Sequence, residues 1–165
     1  MKSESNILGI AGELRVMSEL MLKGHNPAKS YLDNGIDIIL ESGIRIQVKT
    51  ARTKYCANHK REKPKYKYHF SFNNKTNKHC LENVDIVICW AVEDNVFFII
   101  PAKDLGKKGY KYVPDYKKNF IKQYINNWGI LNDKWVMLNI SNKVIMNAFA
   151  GEDMRLIKQG EKSNG

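Results

Sequence analysis

Two apolar runs near the middle of the chain constrain its fold more than any other feature: residues 84–92 (Val-Asp-Ile-Val-Ile-Cys-Trp-Ala-Val) and residues 96–100 (Val-Phe-Phe-Ile-Ile). Both have strand length and are rich in β-branched and aromatic side chains. Both are near-continuous, without the alternation of a strand that has one wet face, and so read as strands buried on both faces at the centre of a sheet. Glu93-Asp94-Asn95 joins them and Pro101 ends the second. A chain with such strands needs a further layer on each side of the sheet.

The flanking segments supply candidates for those layers. Residues 7–23 place Ile7, Ile10, Leu14, Met17 and Met21 at helical spacing, and Gly24 is a stop signal. Residues 35–40 and 44–51 are β-branched and joined by Glu41-Ser42-Gly43, a three-residue hairpin loop with glycine where a left-handed residue is needed. Tyr66, Tyr68, Phe70 and Phe72 alternate with Lys67, His69 and Ser71, the pattern of a strand with one buried face. Residues 52–65 read as a basic loop. Tyr116, Phe120, Tyr124 and Trp128 are spaced for a second helix, Trp135 to Ile140 for a short strand, and residues 142–150 for a last helix. The order describes an α/β fold, a mixed central sheet flanked by helices, with residues 1–150 forming one domain and 151–165 a frayed tail.

Charge narrows the function. The 165 residues hold 27 Lys and Arg against 17 Asp and Glu, a formal +10. Such an excess on one small domain points to a polyanionic partner, nucleic acid before an anionic membrane surface, because neutralised phosphates release counterions. No apolar run approaches the ~20 residues of a membrane span, and the N-terminus lacks the pattern of a secretory signal. A cytoplasmic protein with reduced thiols is expected, since Cys56, Cys80 and Cys89 make an odd set. Cys56-x-x-His59 and His79-Cys80 carry zinc-capable side chains, but the adjacent His-Cys pair makes an awkward half-site. Cys89 belongs to an apolar strand and to the core.

Four residues carry the chemistry. At 100° per residue, Glu13 falls between Met17 and Leu20 at the edge of the expected buried face, whereas Glu19 falls opposite it. A carboxylate at such an edge needs a cation or a donor. In the hairpin, pairing Leu40 with Ile44 and Ile38 with Ile46 sets Asp37 opposite Gln47. Ile36, Ile38, Ile44, Ile46 and Val48 then share one face. Asp37, Gln47 and Lys49 share the other, with Gln47 and Lys49 about 7 Å apart. The preceding helix can bring Glu13 over that face. Carboxylate and amide oxygens suit a hard divalent cation, and a lysine beside them can orient water and offset charge on a reacting phosphate.

Glu13, then Gly35-Ile36-Asp37-Ile38-Ile39, then Ile46-Gln47-Val48-Lys49 resembles the PD-(D/E)XK nuclease superfamily. Its pattern is a helix glutamate, an aspartate at a strand end, a hairpin, and an acid-x-Lys on the next strand. The similarity spans residues 7–50. It implies a restriction-endonuclease-like core, with Glu13, Asp37 and the Val48 carbonyl on the metal and Lys49 handling water and transition-state charge. Position 47 departs from the usual acid; Gln-x-Lys is similar to the variant of the group I intron-encoded homing endonuclease branch, and the Gln47 amide oxygen remains a ligand. The cofactor implied is Mg²⁺, with Mn²⁺ as a substitute. The expected activity is hydrolysis of double-stranded DNA, with a Holliday-junction resolvase or an inactive DNA-binding module as alternatives.

Phosphate contacts are expected from Arg52, Lys54, Lys60, Arg61, Lys63 and Lys65, which leave directly from the catalytic strand, and from Lys107, Lys108 and Lys111, where tyrosines interleave. Cutting both strands with a one-strand site calls for a homodimer or homotetramer.

Overall fold

The structure, a computed structural model, describes residues 3–31, 35–56, 65–72, 81, 83–105, 110–113 and 120–132; for 55–56, 65–67, 110–113 and 120 it describes the backbone alone. Among the described residues one helix, α1 (Glu4–Leu22), precedes eight strands: β1 (Pro27–Lys29), β2 (Ile38–Leu40), β3 (Arg45–Ala51), β4 (Lys54–Cys56), β5 (Lys65–Ser71), β6 (Ile86–Ala91), β7 (Val96–Pro101) and β8 (Tyr110–Val113). Short 3₁₀ turns cover Ala102–Leu105, Phe120–Tyr124 and Trp128–Asn132. Among the described residues no helix is long and apolar enough to cross a membrane.

The main sheet has the order β1-β2-β3-β6-β7. Only β3 and β6 run parallel; the other neighbours are antiparallel, so the sheet is mixed, as expected. β6 lies inside it. Among the described residues β7 lies at its end, not at its centre, and is covered there by the segment around Asn126. There Asn126 clasps β7: its amide donates to the Phe97 carbonyl (2.7 Å) and its Oδ1 accepts from the Phe97 amide (3.0 Å). Asn126 takes φ +48° to do so, which breaks the helix expected through Phe120, Tyr124 and Trp128 into two 3₁₀ turns.

β4, β5 and β8 form a second, antiparallel sheet. Part of the segment read as a basic loop is therefore strand, because Lys54 to Cys56 pair with Lys65 to Lys67. Tyr68, Phe70 and Phe72 are buried and His69 and Ser71 exposed, so the alternation holds where its side chains are described. The segments expected as strand 135–140, helix 142–150 and tail 151–165 lie outside the described residues, as do His59, His79 and Cys80 of the zinc motif.

The sheet has a hydrophobic cluster on each face. On one, Val16 and Leu20 of α1 meet Ile38, Ile46, Val48, Ile86, Ile88, Phe97 and Ile99. On the other, Tyr68, Phe70 and Phe72 meet Ala51, Val87, Cys89, Ala91, Phe98 and Ile100. Ile36 belongs to this second cluster, not to the face of Ile38 and Ile46 where strict alternation put it. Cys89 is a buried free thiol, pushed well above its usual pKa by desolvation.

α1 is capped by Ser3, whose side chain accepts from the Asn6 amide, and closed by Gly24→Met21 and His25→Leu20 backbone bonds. It presents Gly12, Val16 and Leu20 to the sheet. Much of the face expected to be buried is turned outward: Ile7, Leu14 and Met21 are 58%, 58% and 57% exposed, while Met17 packs partly against the core. Gly12 is the physical reason. It sits against Thr50 of β3 so closely that a Cβ there would fall on the Thr50 hydroxyl and lie 2.9 Å from Thr50 Cβ. Close backbone approach selects the face. Glu19 consequently lies beside the sheet, paired with Arg15 at 2.6 Å, instead of on the far side of the helix.

Candidate active site

The site begins at the end of the β2–β3 ladder. The hairpin register is the expected one, Ile38 opposite Ile46, and Gly43 takes φ +85° to close the loop with its amide on the Leu40 carbonyl (2.8 Å). Beyond Ile38 the strands stop pairing regularly. The Asp37 amide goes to the Ile46 carbonyl (2.9 Å), and the Asp37 carbonyl accepts from Ser30 after β1 (2.9 Å). The Asp37 backbone is thus held from both sides. Its carboxylate takes the place a β2 carbonyl would have had: Oδ2 accepts from the Val48 amide at 2.7 Å. A residue in extended backbone presents its N–H and C=O on the same edge, so the Val48 carbonyl faces this edge too.

Asp37 is half-buried, and its carboxyl is raised above the usual carboxylate range. Desolvation is the largest cause. The Val48 amide opposes it, Glu13 adds to it by like-charge repulsion, and Lys49 and Lys29 oppose it by attraction. Glu13, Asp37, Lys49 and Lys29 therefore form one electrostatic neighbourhood.

Gln47 is the one buried polar or charged residue among those described, 5% exposed, and its Oε1 has no hydrogen-bond partner among the described residues. A buried amide oxygen left unpaired costs about 1–3 kcal/mol, so this one is waiting for a donor or a cation. Lys49 follows two positions later on the same strand, half-buried and in register with Cys89.

Glu13 arrives by a different route from the one its helix position implies. α1 covers the Ile46 and Val48 face, not the Gln47 and Lys49 face, because Gly12 docks on Thr50. Glu13 instead binds Lys29 of the edge strand β1, with Lys29 Nζ 2.8 Å from Glu13 Oε2, and Lys29 stands opposite Ile38, next to Asp37. Lys29 escaped the sequence reading. It lies in a three-residue strand just after Asn26-Pro27, a stretch that reads as a connection.

Glu13, Asp37 and Lys49 are thus within electrostatic reach of one another, with Lys29 as a further member, and Gln47 lies two positions before Lys49 on β3. Among the described residues no group of three His, Cys, Asp or Glu side chains is placed to hold a metal ion. A cation here would draw instead on two acids, Glu13 and Asp37, with the Gln47 Oε1 and Val48 carbonyl oxygens. Those are hard oxygen donors of the kind Mg²⁺ takes, and the orphaned Gln47 oxygen among them fits the role.

Of the residues expected to meet phosphate, Arg52 is 64% exposed at its side chain and pairs with Glu93 at 3.4 Å, while Lys54 is exposed. Both line a groove of about 560 Å³ with Glu4, Leu8, Thr50 and His69, between α1 and the end of β3. The Lys65 and Lys111 backbones lie in β5 and β8. Lys60, Arg61, Lys63, Lys107 and Lys108 lie outside the described residues.

No protein-family model and no curated protein sequence matches the chain. Among solved structures it is similar to the bacterial homing endonuclease I-Ssp6803I, with a TM-score of 0.59 at 15% identity over 78% of this chain and 93% of the other. At that identity the likeness is one of fold: a mixed α/β architecture shared with a homing endonuclease.

Proposed function

We propose that the protein is a Mg²⁺-dependent endonuclease that hydrolyses phosphodiester bonds in double-stranded DNA, using Glu13, Asp37, Gln47 and Lys49. The observation that carries this reading is the buried, unpartnered Gln47 oxygen next to a strand edge where the Asp37 carboxylate is fixed on the Val48 amide. Few purely structural roles leave an amide oxygen buried and unused beside a half-buried acid. The homing-endonuclease fold and the +10 charge point the same way.

Glu13, Asp37, Gln47 Oε1 and the Val48 carbonyl would hold the cation, which when bound supplies Lewis-acid polarisation of the phosphate and a lower pKa for water. The protein's own contribution is positional. Asp37 is locked by three hydrogen bonds to its neighbours, so its carboxylate costs little to organise. Lys49, a point charge on a flexible stem, holds the attacking water and offsets charge developing on the phosphate. Basic side chains leaving β3, such as Lys54, draw in the DNA backbone. A single site cuts one strand, so a homodimer or homotetramer would cut two.

The test is incubation of the protein with supercoiled plasmid, linear duplex and a four-way junction, in Mg²⁺, in Mn²⁺ and in EDTA. Metal-dependent cutting of duplex supports the proposal. Cutting of the junction alone would make the protein a resolvase, and tight binding without cutting in any metal would make it a DNA-binding module.

A further inference from the structure

Lys29 has a role that the four-residue pattern leaves out. Its ammonium is the cation that already sits on Glu13, at 2.8 Å, with both side chains partly shielded, 34% and 20% exposed. It is not a stray surface lysine. β1 pairs Lys29 with Ile38, and the next residue, Ser30, donates to the Asp37 carbonyl, so the backbone that carries the ammonium is pinned to the backbone that carries Asp37. The charges of Glu13 and Asp37 are balanced by those of Lys29 and Lys49, so the neighbourhood is neutral without a metal.

We propose that Lys29 is the resident counter-cation of Glu13 and sets the metal affinity of the site: a divalent ion and the Lys29 ammonium claim the same carboxylate, and the metal binds to the extent that it wins. This rests on the reading of Glu13 and Asp37 as metal-binding groups. The ion pair keeps Glu13 organised and the site neutral before metal arrives, at the cost of weaker metal binding. With a neutral Gln47 in place of a third acid, the site depends on Glu13 for half its negative charge, so competition for Glu13 weighs heavily.

Lys29 acts here through Glu13, as a positioning residue, and the test must isolate that coupling. The measurement is direct binding of Mn²⁺ to the full-length protein without DNA, followed by the electron paramagnetic resonance signal of free Mn²⁺. K29M and K29Q each remove the ammonium and keep much of the stem; the side chain is partly exposed on an edge strand, and circular dichroism verifies folding. Both should bind Mn²⁺ about three- to tenfold more tightly than wild type, the scale of a partly shielded ion pair. K29R should stay near wild type. In an E13Q background, K29M should lose most of its effect, because the lysine then has no carboxylate to withhold.

An unchanged or weaker affinity in K29M and K29Q, with wild type binding Mn²⁺ normally, would overturn the role of Lys29 and leave the metal site standing. So would a full K29M effect in the E13Q background, which would make Lys29 a diffuse positive charge. Absence of Mn²⁺ binding to folded wild type would instead remove the metal site itself, and the Lys29 proposal with it.

Discussion

The carboxylate of Asp37 accepts a hydrogen bond from the amide of Val48 at 2.7 Å, at the point where β2 ceases to pair with β3. A side chain thereby continues a backbone ladder. The acid is fixed without a dedicated partner residue, and the strand edge that it closes carries the Val48 carbonyl as well. Gln47 and Lys49 flank Val48 on β3, so this one bond sets the spacing of the whole site.

Asp37 is stabilised in its place but not in its charge. Burial raises its pKa above that of the unfolded chain, so between those two values the native state holds the proton more tightly. Stability carried by that proton is present at low pH and is lost as pH rises through the raised pKa. At neutral pH the ionised carboxylate then costs stability, and D37N, whose amide oxygen can still accept from Val48, should raise the Tm of the metal-free protein by roughly 1–4 °C. Cleavage should fall on the order of a hundredfold or more. Mg²⁺ should raise the Tm of wild type and not that of D37N. Thermal melts from pH 4 to 8 check this; a D37N that melts below wild type at pH 7 contradicts it.

At Gln47 the prediction concerns a buried, unpartnered oxygen. Q47E places an acid where the side chain is 5% exposed. Without metal it should lower the Tm, because a carboxylate at that depth is desolvated. Mg²⁺ should restore that loss, and the metal midpoint for cleavage should move to lower concentration. Cleavage need not quicken, since the added charge also repels phosphate and draws on Lys49. Q47A removes the oxygen and should lower activity more than Q47E. A titration giving one common metal midpoint for all three proteins would make Gln47 an ordinary strand residue.

Features set by local periodicity were legible in the sequence: α1 and its stop, the 35–51 hairpin and its glycine, and β6 as an inner strand. Features set by tertiary contact were not. Apolar residues on α1 mark the stripe through Ile7, Leu14 and Met21, yet the helix docks through Gly12, Val16 and Leu20, because a glycine that permits close approach leaves no hydrophobic signal. Asn126 reads as a helix residue until Phe97 is there to be clasped. Lys29 becomes a site residue only through β1, a strand too short to show a period. The residue types for metal chemistry were visible; the route by which Glu13 reaches them was not.

Paired glycine substitutions test the docking of α1. Ala is preferred over Gly inside a helix by about 1 kcal/mol, so on propensity alone both G9A and G12A should stabilise. A Cβ at Gly9 meets nothing within 4 Å, and G9A should gain up to that amount. A Cβ at Gly12 collides with Thr50, and G12A should instead lose about 1–3 kcal/mol as the helix is pushed off β3. Glu13 is the next residue, so G12A should also reduce cleavage, while G9A leaves it intact. Equal stabilities from urea unfolding of the two variants would mean that the helix face is not held by this contact.

Lys49 faces two different neighbours, and the difference defines its role. Cys89 lies beside it in register on β6, buried and held neutral by desolvation, so it offers the ammonium no countercharge. Asp37 does, since Lys49 lowers the Asp37 pKa against the effect of burial. If Lys49 served only to balance Asp37, K49M would raise the Asp37 pKa further and lower the Tm, and the cleavage rate at saturating metal would stay near that of wild type. If it serves the reaction, K49M should leave the protein folded and its Mn²⁺ affinity within a few-fold of wild type, while the cleavage rate at saturating metal falls on the order of 10²–10³-fold. The second outcome is expected, because a metal ion bound at Asp37 would supply the countercharge that Lys49 provides in its absence. K49R should not restore the rate, since a planar guanidinium cannot stand in for a compact ammonium that orients water. Single-turnover cleavage at saturating metal, set beside the Mn²⁺ isotherm, separates the two roles. A K49M protein that cleaves at the wild-type rate at saturating metal would assign Lys49 to charge balance and leave the reaction without it.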